Sequence, residues 1–470
     1  MLIPRPRQVV RQSGHFILDT QTTLHLAPGA ERAADLLRLR TGLPLQAAPD
    51  SSFVLAIDPA LSGLGDEGYG LTVGRDAVLL RARTDAGLVN GVHTLAALIE
   101  RGHRLPCAQI SDSPRFPWRG AMLDVGRHFL PISYVRDFVD RIAAYKLNVL
   151  HLHLTEDQGW RMPVDAYPLL TEIGSVRAQT GGDSTPHGGH YTKAELRDLV
   201  TYAAARGVRV MPEIEMPGHA RAAIAAYPEL GNVPERRLTV WDRWGVCENV
   251  LGVHDEVFTF LETVLGEVMD IFEGPYIHLG GDECPTGEWE ESPRARAVAA
   301  EAGLSPKELN AWFLTRVGRY LLENGRTPVS WAEPDATALP PEFVVMPWRD
   351  AAHGQGAARR GHELVMTPHR TTYLDYPQSD APHEPPGQPG DPVTLDDVYG
   401  AEPAPAEWEP AERAKVLGTQ AQLWTEHAAT PAEIDYLLFP RIAALAEVAW
   451  SEGPRDLPDF RRRLQATRTH

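Results

Sequence analysis

Cysteine is scarce in this chain of 470 residues, which has only Cys107, Cys247 and Cys284. Three scattered thiols cannot make a disulfide framework or a zinc site built on closely spaced pairs. Cys247 and Cys284 could be joined only if their loops meet, and three free, ordinary small residues are the plainer expectation. Long apolar runs are also missing: no window reaches the roughly 18 continuous apolar residues of a membrane span. The first ten residues carry arginine and proline but no apolar segment of the secretory kind. The reading is a soluble and, absent a trimmed leader, cytoplasmic protein. Positive charge is short as well, since 45 Lys and Arg face 63 Asp and Glu for a formal net charge of -18. A phosphate backbone or an acidic membrane would be repelled overall, so no nucleic acid and no membrane is expected as a partner. A neutral or small substrate fits better, and oligomeric state is left open.

Length exceeds one ordinary domain, which predicts a large enzyme-sized unit with a smaller companion. Residues 1–112 alternate short apolar runs with helical stretches. The patterns predict strands at Thr22–Leu26, Phe53–Ile57, Gly70–Val73 and Val78–Ala82, and helices at Glu31–Arg40 and Ala86–Glu100. This is a small α+β domain with few clustered acids or histidines, so its expected role is structural. The run Ser111-Asp112-Ser113-Pro114-Arg115-Phe116-Pro117 interrupts any regular element, and it places the division into domains 1–114 and 115–470.

From Trp118 onward the pattern becomes strand, loop, helix, repeated. Strands are predicted at Arg119–Asp124, Asn148–Leu154, Val208–Ile214, Tyr276–Leu279, Pro328–Trp331, Phe343–Met346, Glu363–Thr367 and Val416–Leu423. Helices are predicted at Ser133–Tyr145, Lys193–Arg206, Asp255–Phe272, Pro306–Glu323 and Pro431–Val448. Eight such units predict an α/β fold, a (β/α)8 TIM barrel, although the crossover between Trp331 and Phe343 is too short and proline-rich for a full helix.

A barrel puts its chemistry just past the C-terminal ends of the strands. The most suggestive of these ends is Tyr276-Ile277-His278-Leu279-Gly280-Gly281-Asp282-Glu283, a buried-strand pattern that finishes in two glycines and two acids. Neighbouring strand residues point to opposite faces, so Asp282 and Glu283 share a site only if the chain turns there, which the glycines allow. Two carboxyls in one pocket repel, and one of the two is expected to have a raised pKa, as a general acid requires. The other strand ends supply Asp124, Arg127 and His128; His151, His153, Glu156, Asp157 and Trp160; Glu213, Glu215 and His219. Later ends supply Trp331 and Glu333, then Trp348, Tyr373 and Asp375, and finally Trp424 and Glu426.

Indole rings with carboxylates, an arginine and no phosphate-cradling glycine loop suit a sugar, whose apolar faces stack on aromatics while its hydroxyls take hydrogen bonds. Glycosidic cleavage usually needs a carboxyl on each side of the bond. Adjacent acids on one strand end sit more easily on the same side, which points to a nucleophile from elsewhere.

The motif His278-Leu279-Gly280-Gly281-Asp282-Glu283 resembles that of glycoside hydrolase family 20, the β-N-acetylhexosaminidases. So do Arg127-His128-Phe129, His151-Leu152-His153-Leu154 through Asp157-Gln158-Gly159-Trp160-Arg161, Pro212-Glu213-Ile214-Glu215-Met216-Pro217-Gly218-His219, Tyr373-Leu374-Asp375 and Gln422-Leu423-Trp424-Thr425-Glu426. The resemblance spans almost the whole barrel, and Tyr69 to Glu100 looks like part of the family's N-terminal domain. It implies that the substrate's own 2-acetamido oxygen attacks the anomeric carbon, an exception to the two-carboxylate scheme. It further implies Glu283 as acid and base, with a pKa raised beside an ionised Asp282, Asp282 orienting the acetamido N–H, and Tyr373 holding its oxygen. Trp331, Trp348 and Trp424 would wall the methyl group, with Asp375 supporting that recess. Arg127 would take O3 and O4, Glu426 would take O4 and O6, and Asp157 with His219 would stand behind the acid. No cofactor or metal is implied, and the partners would be N-acetylhexosaminide oligosaccharides or glycoconjugates. Trp408 does not match the family's further tryptophan, and Trp241 and Trp244 fit an outer subsite or loop packing equally. The rival reading is a metal-dependent amidohydrolase-like barrel, because His151 and His153 lie on one strand face at ligand spacing, but the further ligands such a barrel needs are not found.

Overall fold

The computed structural model describes residues 2–332 and 339–468. The N-terminal unit is one six-stranded mixed sheet built from β1 (Gln8–Ile17), β2 (His25–Leu26), β3 (Phe53–Ile57), β4 (Tyr69–Val73), β5 (Val78–Ala82) and β6 (Arg104–Asp112). Its strand order is β1-β6-β4-β5-β3-β2. Helices α1 (Glu31–Thr41) and α2 (Asp85–Leu98) bury Leu36, Leu37, Leu88 and Val92 in a core shared with Phe53, Leu55, Leu71 and Leu80. Two strands depart from the sequence reading. β1 is an edge strand whose side chains are mostly exposed, so it shows no apolar alternation, and β6 carries Pro106.

The second unit is a closed parallel barrel of β7 (Trp118–Asp124), β8 (Val149–His153), β9 (Arg209–Glu213), β10 (Tyr276–His278), β11 (Thr327–Trp331), β12 (Val344–Met346), β13 (Leu364–Met366) and β14 (Val416–Ala421). β7 is buried along its whole length because it is covered on both faces, which is why it reads as a continuous run. Helix starts follow local chemistry. Lys193–Ala204 is opened by a capping box in which Thr192 Oγ1 accepts from the Glu195 N–H and Glu195 accepts from the Thr192 N–H. The last long helix expected, Pro431–Val448, is two helices, Pro431–Leu438 and Arg441–Trp450, because Pro440 has no N–H to continue the first. Most of the crossover between Trp331 and Phe343, including Glu333, lies outside the described residues.

Strand register decides what meets inside the barrel. Asp124 pairs with His153, His153 with Glu213, and Glu213 with His278. Four polar residues therefore share one level of the barrel interior, near the ends where the site lies.

The two units are joined by buried charge. Asp112 at the end of β6 accepts from Tyr69 Oη at 2.8 Å, Lys146 Nζ at 3.0 Å and Trp450 Nε1 at 3.0 Å. Glu67 takes a bidentate pair from Arg119 at 2.9 and 2.7 Å. All three cysteines are free. Among the described residues, no helix is long and apolar enough to cross a membrane.

Candidate active site

The glycine turn predicted after β10 is present. Gly280 and Gly281 have φ of 65° and 97°, and Glu283 itself sits at φ 45°. A Cβ at Gly280 would lie 1.6 Å from Glu215 Oε2, so any side chain there would push the buried Glu215 carboxylate aside. The turn swings both acids toward one imidazole, with His219 Nε2 3.6 Å from Glu283 Oε2 and 3.9 Å from Asp282 Oδ2. Glu283 is the more open of the two, 37% exposed against 13%, and so the one a leaving group can reach.

His219 continues a chain of charges. Its Nδ1 lies 2.7 Å from Glu156 Oε1 and 3.5 Å from Asp157 Oδ2, and Glu156 Oε2 lies 2.9 Å from Arg127 Nη2. Burial disfavours the imidazolium, but Glu156, Asp157 and Glu283 outweigh it and hold the His219 pKa well above the usual histidine value. The Glu283 carboxyl is correspondingly lowered, first of all by its hydrogen bond to His219. This corrects the raised Glu283 expected from its neighbour Asp282. The imidazolium, invisible in local sequence, wins over the adjacent carboxylate. Asp157 is in place, but Glu156 is the closer partner of His219, and Asp157 Oδ1 accepts from the Arg221 backbone N–H at 2.9 Å.

Arg127 is fixed by the turn after β7. Asp124 Oδ1 accepts the backbone N–H groups of Gly126 and Arg127, while Oδ2 accepts the N–H of Thr425, tying the ends of β7 and β14 together. The guanidinium lies 4.7 Å over the Trp424 ring, which His153 meets edge-on at 5.0 Å. Trp424 stands 5.8 Å from Trp331 and 6.2 Å from Tyr373, and Tyr373 stacks on Trp348 at 6.4 Å. These four rings form a continuous aromatic wall. Burial, then Asp282 and Asp375, push the Tyr373 phenol well up, so it remains a hydrogen-bond donor.

Tyr373 and Asp375 are delivered by an extension of the β13–β14 pairing: the Leu374 N–H bonds Gln422 O at 2.7 Å and the Gln422 N–H bonds Thr372 O at 2.8 Å. Asp375 is buried, and neither carboxylate oxygen has a hydrogen-bond partner among the described residues. Burial and then Glu426 push its pKa well up, and burial raises Glu426 against the pull of Arg127. Two carboxyls and one guanidinium thus face a common space, a donor–acceptor set suited to neutral hydroxyls.

Beneath the wall lies the polar level of the barrel. Glu213 Oε1 takes a hydrogen bond from Trp331 Nε1 at 2.9 Å and lies 2.7 Å from His278 Nδ1, which accepts the Gly280 backbone N–H at 3.0 Å. Its Oε2 lies 2.8 Å from His151 Nε2. His151 Nδ1 accepts from Gln420 Nε2 at 2.9 Å, so the ring is the neutral Nε2–H tautomer, consistent with burial lowering its pKa to about 4. His151, Glu213 and His278 are close enough to surround an ion. Glu213 Oε1 is engaged by Trp331 Nε1 and His278 Nδ1 by the Gly280 N–H, and nothing favours the metal-dependent reading. The two histidines of β8 serve the barrel's internal hydrogen bonding.

All eleven residues singled out in the sequence, Asp282, Glu283, Tyr373, Arg127, Asp157, His219, Trp331, Trp348, Asp375, Trp424 and Glu426, come from this one face: Trp331 ends its strand and the others lie in the loops that follow the strands. Glu156, Glu213 and Glu215 were noted at strand ends but given no role. Glu156 could have been found from the adjacency of two acids before the Gln158-Gly159-Trp160 run. Trp408 is buried in the core, away from the aromatic wall. Trp244 lies 5.5 Å from His128 and under Arg177 at 5.3 Å.

Residues 116–453 match the model for glycosyl hydrolase family 20, catalytic domain, and residues 1–113 match glycosyl hydrolase family 20, domain 2. A beta-hexosaminidase of Porphyromonas gingivalis is 37% identical over 487 residues, covering 98% of this chain and 62% of the relative, so the chain spans less than two thirds of that protein. One from Akkermansia muciniphila is 37% identical over 459 residues, covering 94% and 91%. Among solved structures, the GH20 exo β-N-acetylglucosaminidase from Vibrio harveyi in complex with N-acetylglucosamine superposes with a TM-score of 0.91 at 32% identity, covering 99% of this chain and 76% of the other. The GH20 β-N-acetylhexosaminidase from Streptomyces coelicolor gives 0.85 at 33% identity, covering 99% and 94%.

Proposed function

The chain belongs to glycosyl hydrolase family 20, and from that membership and the pocket geometry we propose that it is a retaining exo-β-N-acetylhexosaminidase working by substrate-assisted catalysis. Its substrates are oligosaccharides or glycoconjugates that end in a β-linked N-acetylglucosamine or N-acetylgalactosamine. The observation that carries the reading is the acid pair sharing one imidazole beside an aromatic wall.

In the first step Glu283 gives a proton to the glycosidic oxygen as the bond from it to the anomeric carbon breaks. The acetamido oxygen bonds that carbon from the opposite face, forming an oxazolinium ring. Asp282 takes the acetamido N–H and offsets its growing positive charge, while the Tyr373 hydroxyl donates to the acetamido oxygen. Trp331, Trp348 and Trp424 hold the methyl group and exclude water. In the second step water attacks the anomeric carbon, Glu283 takes its proton, and the ring reopens to the amide. Two inversions leave the β configuration. Arg127 and Glu426 hold the hydroxyls remote from the bond, and Asp375, whose charge adds to burial and Asp282 in raising the Tyr373 phenol, supports the acetamido recess. Asp157 and His219 stand behind the acid. The boundary between the two domains is placed after residue 114, a position supported by the end of β6 at Asp112 and the start of β7 at Trp118.

The test compares 4-nitrophenyl N-acetyl-β-D-glucosaminide with the matching β-D-glucoside. Only the first should release nitrophenol, and equal rates on both would contradict participation by the acetamido group.

A further inference from the structure

We propose that Gln388, on the proline-rich loop that follows β13, is a specificity-determining residue that positions Glu426 and thereby sets the preference between sugars epimeric at O4. The inference rests on the reading of the pocket given above.

The loop is rich in proline and acidic residues, and it is clamped back onto the site. The Gln388 N–H donates to Asp375 O at 2.9 Å, and Val393 N–H donates to Pro377 O at 3.0 Å. Gly387 approaches the same Asp375 carbonyl so closely that a Cβ would stand 2.5 Å from it. The buried Arg441 guanidinium donates to the carbonyls of Leu374 at 2.7 Å, Tyr376 at 2.9 Å and Val393 at 2.6 Å, holding both ends of the loop. The result is a half-buried Gln388 whose Nε2 faces Glu426 Oε1 at 3.4 Å.

Glu426 needs such a partner. It shares its end of the pocket with Asp375, whose buried carboxyl has no hydrogen bond of its own among the described residues, and with Arg127, which Glu156 already engages. A neutral amide is the group that can steady one Glu426 oxygen without adding charge, leaving the other free for a hydroxyl. An equatorial and an axial O4 differ in direction, not in size. Only a rigid acceptor discriminates between them, because the wrong epimer leaves a buried polar group unpaired.

The experiment measures kcat and KM of wild type, Q388A and Q388E on the 4-nitrophenyl β-glycosides of N-acetylglucosamine and N-acetylgalactosamine, with thermal midpoints recorded for each. Wild type should favour one epimer. Q388A should shrink that preference by about fivefold or more, through KM, with kcat on the preferred sugar within about twofold. Q388E, which adds a third carboxyl, should raise KM further at neutral pH and recover as pH falls. An unchanged epimer ratio in folded Q388A, or equal losses in kcat on both sugars, overturns the proposal. If wild type cleaves neither glycoside, the reading of the pocket has failed and this one falls with it.

Discussion

Nε2 of His219 stands 3.6 Å from Oε2 of Glu283, an ion pair across which a proton can pass once the two close to hydrogen-bond distance. The raised His219 pKa and the lowered Glu283 pKa put that proton on the imidazole. An acid that is ionised at neutral pH can still serve if the arriving leaving-group oxygen draws the proton across. The pair loses it only as pH rises through the raised His219 value, so kcat/KM should hold through neutrality and fall on the alkaline side. In H219F there is no proton to share and Glu283 must carry its own. The alkaline limb should then move into the ordinary carboxylic range, leaving little activity at pH 7. A pH profile of kcat/KM for both enzymes decides it, and an unmoved limb refutes proton sharing.

Replacing the acid itself has a graded signature. E283Q should lower kcat by about 10³-fold on substrates with poor leaving groups, where protonation is required, and by much less on dinitrophenyl glycosides. Parallel kinetics on a series of aryl N-acetylglucosaminides would show a steepened dependence on leaving-group pKa. Near-normal activity across the series would reassign the acid.

Tyr373 acts on the other partner of the reaction. Y373F removes a single hydroxyl donor from a buried, water-poor wall and should cost about 10²- to 10³-fold in kcat while leaving KM for the glycoside nearly unchanged. Binding of an N-acetylglucosamine thiazoline should weaken in step with kcat, measured by calorimetry on the same variant.

The join between the two units offers a test of stability apart from chemistry. Asp112 satisfies Tyr69, Lys146 and Trp450 together, all out of solvent. D112A would leave the Lys146 ammonium buried without its counter-charge, for a loss of about 3–5 kcal/mol. Denaturant unfolding should record that loss, while kcat per folded molecule stays the same.

The barrel was legible because each of its strands is covered on both faces and reads as an apolar run that ends in polar residues. The turn at Gly280 and Gly281 was legible for a local reason, since only a glycine pair lets adjacent acids face one way. What escaped notice depends on distance along the chain. The sign of the Glu283 shift comes from His219, which no pattern near residue 283 announces. Glu156 joins His219 to Arg127 only because β7, β8 and β9 lie side by side. Gln388 sits in a run of prolines and glycines that has no periodicity, and its place beside Glu426 depends on a loop held by Arg441 far downstream. β1 was missed because an exposed edge strand has no apolar face to reveal it.

Glu283 carries its carboxyl on a backbone at φ 45°, a shape that glycine adopts freely and that bulkier residues occupy at a cost of about 1 kcal/mol or more. The working side chain is therefore slightly at odds with the scaffold that presents it. A glycine at 283 should leave the melting temperature no lower while removing the acid that poor leaving groups require, so durability and turnover are set in opposition at a single residue.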